Sequence, residues 1–109
     1  MGVSHRNPLP VTTLIAEIDR VAFGNWVYHL RSPIQVSVYE EDGLWCHEFA
    51  PLETRAHGRT REESAEAFSE HFSSIWHWIA NSADESLGAE AVDLKRRVKE
   101  LVKSVKTIR

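Results

Sequence analysis

The stretch "IQVSVYEEDGLWCHEF", residues 34–49, constrains the fold more than any other part of the chain. Ile34, Val36 and Val38 alternate with Gln35, Ser37 and Tyr39, the two-residue period of a strand that buries one face. Asp42-Gly43 follows. An Asp-Gly pair between apolar runs is the strongest short-range hairpin signal, because both residues tolerate positive φ. "LWCHEF" then returns as the partner strand. A lone hairpin is marginal in water, so the chain must add strands or lay a helix on the apolar face.

Both additions are readable on either side. Upstream, "NWVYHL" is aromatic and β-branched and reads as a strand ending at "RSP", where Pro33 interrupts any ladder. Residues 11–23, "VTTLIAEIDRVAF", fit two patterns. Leu14, Ile15, Ile18, Val21 and Ala22 make a helical stripe that Gly24 would end. Equally, Gly24-Asn25 is a turn that would make the segment the first arm of a hairpin, the reading slightly preferred. Downstream, "LETRAH" after Ala50-Pro51 reads as a short edge strand ending at Gly58.

Two helices are expected after the strands. Thr60 is a good N-cap with Glu63 three residues on, a capping box, and Glu62, Glu63 and Glu66 suit the positive end of the helix dipole. Ala65, Phe68, Phe72, Ile75, Trp76 and Ile79 fall on one stripe, so helix 60–80 should lay an aromatic face on the sheet. "NSADESLG" breaks it. Leu87, Ala91, Leu94, Val98, Leu101, Val105 and Ile108 then recur at steps of four and three, which predicts a heptad-spaced amphipathic helix over 87–108.

The 109 residues suffice for one domain with its own core, and 42% apolar with 27% charged residues is ordinary for a globular protein. Residues 1–10 read as a flexible arm and 11–109 as a single α+β domain. One cysteine, Cys46, cannot form an internal disulfide, and no apolar run approaches bilayer length, so a cytoplasmic protein without membrane contact is expected. The net charge of -3 hides a split. Residues 1–92 hold six Arg, no Lys and fourteen acids, whereas residues 93–109 hold seven basic residues against two acids. An acidic body with a basic tail suggests an acidic partner, a nucleic acid, or the tail docking on its own body.

The order of these features, "IQVSVYEEDGLWCHEFAPLETRAHGRTREESAEAF", resembles the HicB-like antitoxin domain family over residues 34 to about 80. That family runs strand, acidic-Gly turn, strand with an aromatic, Pro, short strand, then a helix opening on G-x-T-x-E-E-A. Pro51, Gly58, Thr60, Glu62 and Glu63 stand at the matching positions, with Ser64 where Ala is usual and without the P-D-L-P-G segment that often precedes the third strand, since "APLETRAHG" has one proline and no matching glycine. The resemblance implies a non-enzymatic antitoxin that occludes a small toxin ribonuclease with its sheet and sheet edge.

The chemistry-bearing residues weigh the same way. "HGRTRE" has one Gly, no Lys and two immediate acids, so it lacks what a phosphate cradle requires. Pro51, Gly58, Thr60 and Glu63 are therefore expected to form a structural corner, Gly58 supplying a positive-φ bend and Thr60 the cap. Cys46 and His47 would point to opposite faces of a strand, poor geometry for a nucleophile pair and better suited to a half-buried cysteine. His71 and His77, six apart on a helix, miss ligand spacing. No catalytic residue, metal or cofactor is expected.

Trp78 lies off the aromatic stripe and is the candidate partner contact. Leu94, Val98, Leu101, Val105 and Ile108 form the expected dimer seam. Lys95, Arg96, Arg97, Lys99 and Lys103 are candidate nucleic-acid contacts, clustered as phosphate-binding side chains are. The expected function is protein binding of the antitoxin kind. The alternatives are a structural or adaptor domain dimerising through its last helix and, third, a nucleic-acid-binding regulator. The neighbouring reading frame, if small and basic, would favour the first.

Overall fold

The computed structural model describes Pro10 and residues 12–108, so most of the expected N-terminal arm lies outside the described residues. The protein is α+β: one antiparallel sheet of five strands with two helices on one face. In chain order it runs β1 (Leu14–Phe23), β2 (Trp26–Glu41), β3 (Leu44–Phe49), a 3-10 turn (Ala50–Leu52), β4 (Thr54–Gly58) and α1 (Arg61–Ile75). A π-helical turn (Trp76–Ala80), a 3-10 turn (Asp84–Ser86), α2 (Ala89–Leu101) and β5 (Val102–Thr107) follow. Strands β1 to β4 neighbour in sequence order and β5 adds to β2.

Both hairpin turns are chemically determined. Asp42 and Gly43 have φ of 55° and 81°, as a tight two-residue hairpin demands, and Leu44 pairs Glu41 across it. Gly24, at φ 59°, turns β1 into β2, with Phe23 opposite Trp26, so residues 14–23 are the strand and not the helix.

Pro33 does not end a strand: β2 runs through it for 16 residues. The reason is a slip in the ladder. Ile18 pairs Ile34 but Arg20 pairs His29, so β2 carries four residues, Leu30 to Pro33, against Asp19 alone. A residue with no N–H fits such an irregularity at no ladder cost. The opposite edge of β2 also changes neighbours there: β3 pairs residues 37–41, and β5 pairs residues 26–30. Pro33 falls in the gap between them.

The C-terminal helix over 87–108 is a second correction. It stops at Leu101, and "VKSVKT" turns into strand β5, where Val105 stands opposite Tyr28 and Val102 opposite Leu30. Apolar residues at 101, 105 and 108 satisfy helical spacing, but Val102 and Val105 are β-branched, and the bare edge of β2 takes them as a strand. The expected seam between two copies is thereby occupied within the chain. Val98 is completely buried, Leu94, Leu101 and Val105 pack against the same core, and Ile108 is left 61% exposed.

One core holds the domain together. Tyr28, Leu30, Ile34, Val36 and Val38 from β2 meet Phe68, Phe72 and Ile75 from α1 and Val98 from α2. The other face of the sheet carries Arg20, His29, Gln35, Ser37, Tyr39, Cys46, Arg55 and His57, and among the described residues no helix covers it. Cys46 is buried rather than half-buried, and Tyr39 beside it is buried as well. The Tyr39 hydroxyl donates to Glu48 Oε1 at 2.8 Å, and Arg55 pairs with Glu41 at 2.9 Å. Burial first, then Cys46 and Glu48, push the Tyr39 phenol well above its ordinary value.

Candidate functional site

The strand–helix corner that stands out in sequence consumes its own polar groups. Thr60 Oγ1 accepts the Glu63 N–H at 3.0 Å, and Glu63 Oε1 accepts the Arg59 N–H at 3.0 Å, so the box closes one residue earlier than its usual form. Gly58 serves differently from expectation: its φ is not positive. It is required because a Cβ there would lie 2.4 Å from the Ser64 backbone nitrogen. The glycine lets α1 lie directly on β4. Pro51 sits in the 3-10 turn, and its carbonyl accepts Arg97 Nη1 at 3.1 Å, which ties that turn to α2.

Cys46 and His47 do face opposite ways. Cys46 lies on the open face between Tyr39 and His57. His47, 5% exposed, is under α1, with Nδ1 2.7 Å from Ser64 Oγ. That hydroxyl donates to the Ala56 carbonyl at 3.3 Å, so it accepts from an Nδ1–H of His47. Burial lowers the His47 pKa and the Arg61 charge lowers it further. Ser64 thus compensates a buried imidazole, a pairing that no motif announces. His71 is exposed and His77 faces the Tyr28 hydroxyl at 3.1 Å; among the described residues no three His, Cys, Asp or Glu side chains converge as a metal site.

The other end of α1 is built differently. After Ile75 the backbone loosens into the π-helical turn Trp76–Ala80, and the indole of Trp78 is thrown outward, 76% exposed. Such turns recur at functional sites. The backbone beneath it is fixed: Ser82 Oγ donates to the Trp78 carbonyl at 2.7 Å, and Lys95 Nζ donates to the Ser82 carbonyl at 2.6 Å and to Asp84 at 2.8 Å. Beside the indole is a hollow of about 430 Å³ walled by Phe23, Ser73, Ser74 and His77. His77 is held by Tyr28 and by the edge of Trp26, ring centroids 4.9 Å apart. A large apolar side chain on a rigid backbone, next to a hollow, is the physical form of an interface anchor.

The candidate nucleic-acid residues divide. Lys95 is 19% exposed and spent on Ser82 and Asp84; Arg97 is spent on Pro51, Asp93 and Glu53; Arg96 pairs with Asp93 and Glu100. Lys99 lines a separate shallow hollow with Arg96. Lys103 lies instead on β5. With Lys106, Ser104, Arg20 and His29 it lines a concavity of about 570 Å³ on the open face, where Asp19 supplies the one carboxylate among the described residues. Sequence reading missed Arg20 and His29 because strand pairing, not spacing, brings them there.

No helix among the described residues is long and apolar enough to cross a membrane. Compared with known protein families, with characterised proteins and with solved structures, the chain matches none.

Proposed function

We propose that this chain is a non-enzymatic protein-binding module of the HicB-like antitoxin kind, holding a small basic toxin ribonuclease through the Trp78 end of its helical layer. The observation that carries the reading is the 76% exposed Trp78 on a hydrogen-bonded π turn beside the Phe23–His77 hollow. An indole left in water costs solubility and is retained where a partner covers it. The resemblance in residues 34–80, from the Asp-Gly turn to the capped helix start, supports the antitoxin class. The burial of His47 and Cys46 and the use of Thr60 and Glu63 in capping α1 argue against catalysis there. Growth arrest on inducing a small basic neighbouring frame, relieved by co-expressing this chain and no longer relieved after Trp78→Ala, is the expected outcome. Relief that survives Trp78→Ala overturns the assignment of the site.

The open-face concavity favours a second reading, contact with a phosphate backbone. Arg20, Lys103 and Lys106 form no ion pair with another described residue, so three cations face one carboxylate. Under this reading, affinity for single- or double-stranded oligonucleotides falls steeply with salt, and Lys103→Gln with Lys106→Gln flattens that slope. Binding that is absent at low salt removes it.

A further inference from the structure

Strand β1 pairs with β2 on one side along its length except at Asp19, and among the described residues nothing pairs with its other side. Leu14 and Ile15 on this bare edge are 48% and 58% exposed. An edge of this kind is a template for another strand, and sheet proteins ordinarily blunt it with charges, above all Lys, with Pro or with a bulge. β1 contains no Lys or Pro; it carries Glu17, Asp19 and Arg20 and the irregularity at Asp19, which select among partners that can match them.

Pairing with β2 assigns every residue of β1 except Asp19 to a face. Leu14, Ala16, Ile18, Val21 and Phe23 stand opposite Val38, Val36, Ile34, Tyr28 and Trp26, on the helix side. Ile15, Glu17, Arg20 and Ala22 stand opposite Ser37, Gln35, His29 and Val27, on the open side. The slip at Asp19 inverts the odd–even order halfway along. In a regular ten-residue strand, end-to-end antiparallel self-pairing would set helix-side residues against open-side ones. The slip removes that conflict for the four outer residues at each end: read forward from Leu14 or backward from Phe23, their faces alternate in the same order.

We propose that β1 pairs antiparallel with β1 of a second copy, about a two-fold axis between Ile18 and Asp19, joining two five-stranded sheets into one. Leu14 then lies opposite Phe23, Ile15 opposite Ala22, Ala16 opposite Val21, and Glu17 opposite Arg20. Each of these four matches falls on one face, Ile18 lies opposite Asp19 at the axis, and the two-fold repeats the Glu17–Arg20 ion pair, so the edge charges favour this register. A shift of one residue sets helix-side against open-side residues in every assigned pair except Ile18 against itself. A shift that sets Ala16 opposite Phe23 keeps the faces but leaves Leu14 and Ile15 unpaired and Glu17 opposite Ala22. The proposal does not depend on the antitoxin reading. It adds one residue to that site, because Leu14 of the second copy stands beside Phe23 at the rim of the Trp78 hollow.

Charge complementation in analytical ultracentrifugation tests the register. The wild-type chain is expected to sediment as a dimer. Glu17→Arg sets arginines opposite each other, and Arg20→Glu sets glutamates opposite each other, so each variant should dimerise about tenfold or more weakly. Mixed one to one, the two variants restore both attractive pairs and should recover the dimer, with circular dichroism showing all three proteins folded. A monomeric wild type, single variants that dimerise as the wild type does, or a folded mixture that fails to recover the dimer would each overturn the proposal.

Discussion

The two ends of helix α1 follow opposite rules. At its start, Thr60 accepts the Glu63 N–H and Glu63 accepts the Arg59 N–H, and the backbones of β4 and α1 touch with no room for a methyl group at Gly58. At its finish the helix widens by a π turn, fixes its carbonyls through Ser82 and Lys95, and leaves a Trp in water. The end that looks like a motif is structural. The end marked in the sequence only by Trp78 lying off the apolar stripe is the one we propose as a binding site. Saturated hydrogen bonding and exposed apolar area separate the two.

The largest effect should come from closing the tight end further. Gly58→Ala places a Cβ 2.4 Å from the Ser64 nitrogen, which is backbone and cannot rotate away. Helix α1 must lift from β4, at a cost of about 3 kcal/mol, the upper range for overpacking. Urea unfolding measures it. A loss below about 1 kcal/mol would mean the corner yields easily and the contrast between the ends is false.

How much of this was legible depends on whether local or distant partners decide. The 34–49 hairpin, β4, the Thr60 cap and the Phe68–Phe72 face all follow from neighbouring residues. Strand β5 does not: Leu101, Val105 and Ile108 keep helical spacing, and only the vacant edge of β2, more than seventy residues earlier in the chain, turns 102–107 into a strand. The Pro33 passage, the buried His47–Ser64 pair and the Arg20–Lys103 concavity likewise arise from strand pairing. The exposure of Trp78 was legible because it falls off the apolar stripe. Val98→Ala tests the revised C-terminus. Val98 is wholly buried in the shared core, so deleting two methyl groups should cost about 2 kcal/mol in a single cooperative transition. A neutral change would return the segment to solvent or to a second copy.

Thr60→Ala removes one cap bond at the same corner without crowding it, and about 1 kcal/mol is expected from the urea midpoint. A smaller loss than for Gly58→Ala is the point: packing, more than the cap, holds the two elements together. Equal losses would reverse that order.

His47 adds a pH-dependent component to the same end. Its folded pKa lies below the ordinary 6.5, chiefly through burial and then through Arg61. The unfolded chain therefore takes up a proton first as pH falls. Stability is full above about pH 6.5 and declines below it, down to the folded pKa. His47→Asn keeps an N–H toward Ser64 and does not titrate. Between about pH 7.5 and about pH 5.5 its urea midpoint should fall less than that of the wild type. Parallel falls would place the proton uptake elsewhere.

The smallest effect on stability belongs to the largest exposed side chain. Trp78 is 76% exposed, and it is its carbonyl, not its indole, that Ser82 holds. Trp78→Ala removes little buried area and no side-chain hydrogen bond, so the folding free energy should change by less than about 0.5 kcal/mol. Affinity for a protein partner should fall by at least about 2 kcal/mol, roughly thirtyfold, as when an interface anchor is truncated. The two measurements together separate the ends of α1: Gly58→Ala spoils the fold, and Trp78→Ala spoils recognition in a chain that still folds. A Trp78→Ala protein that unfolds more easily by 2 kcal/mol or more would show the indole to be part of the core's support, and the helix would then have two structural ends.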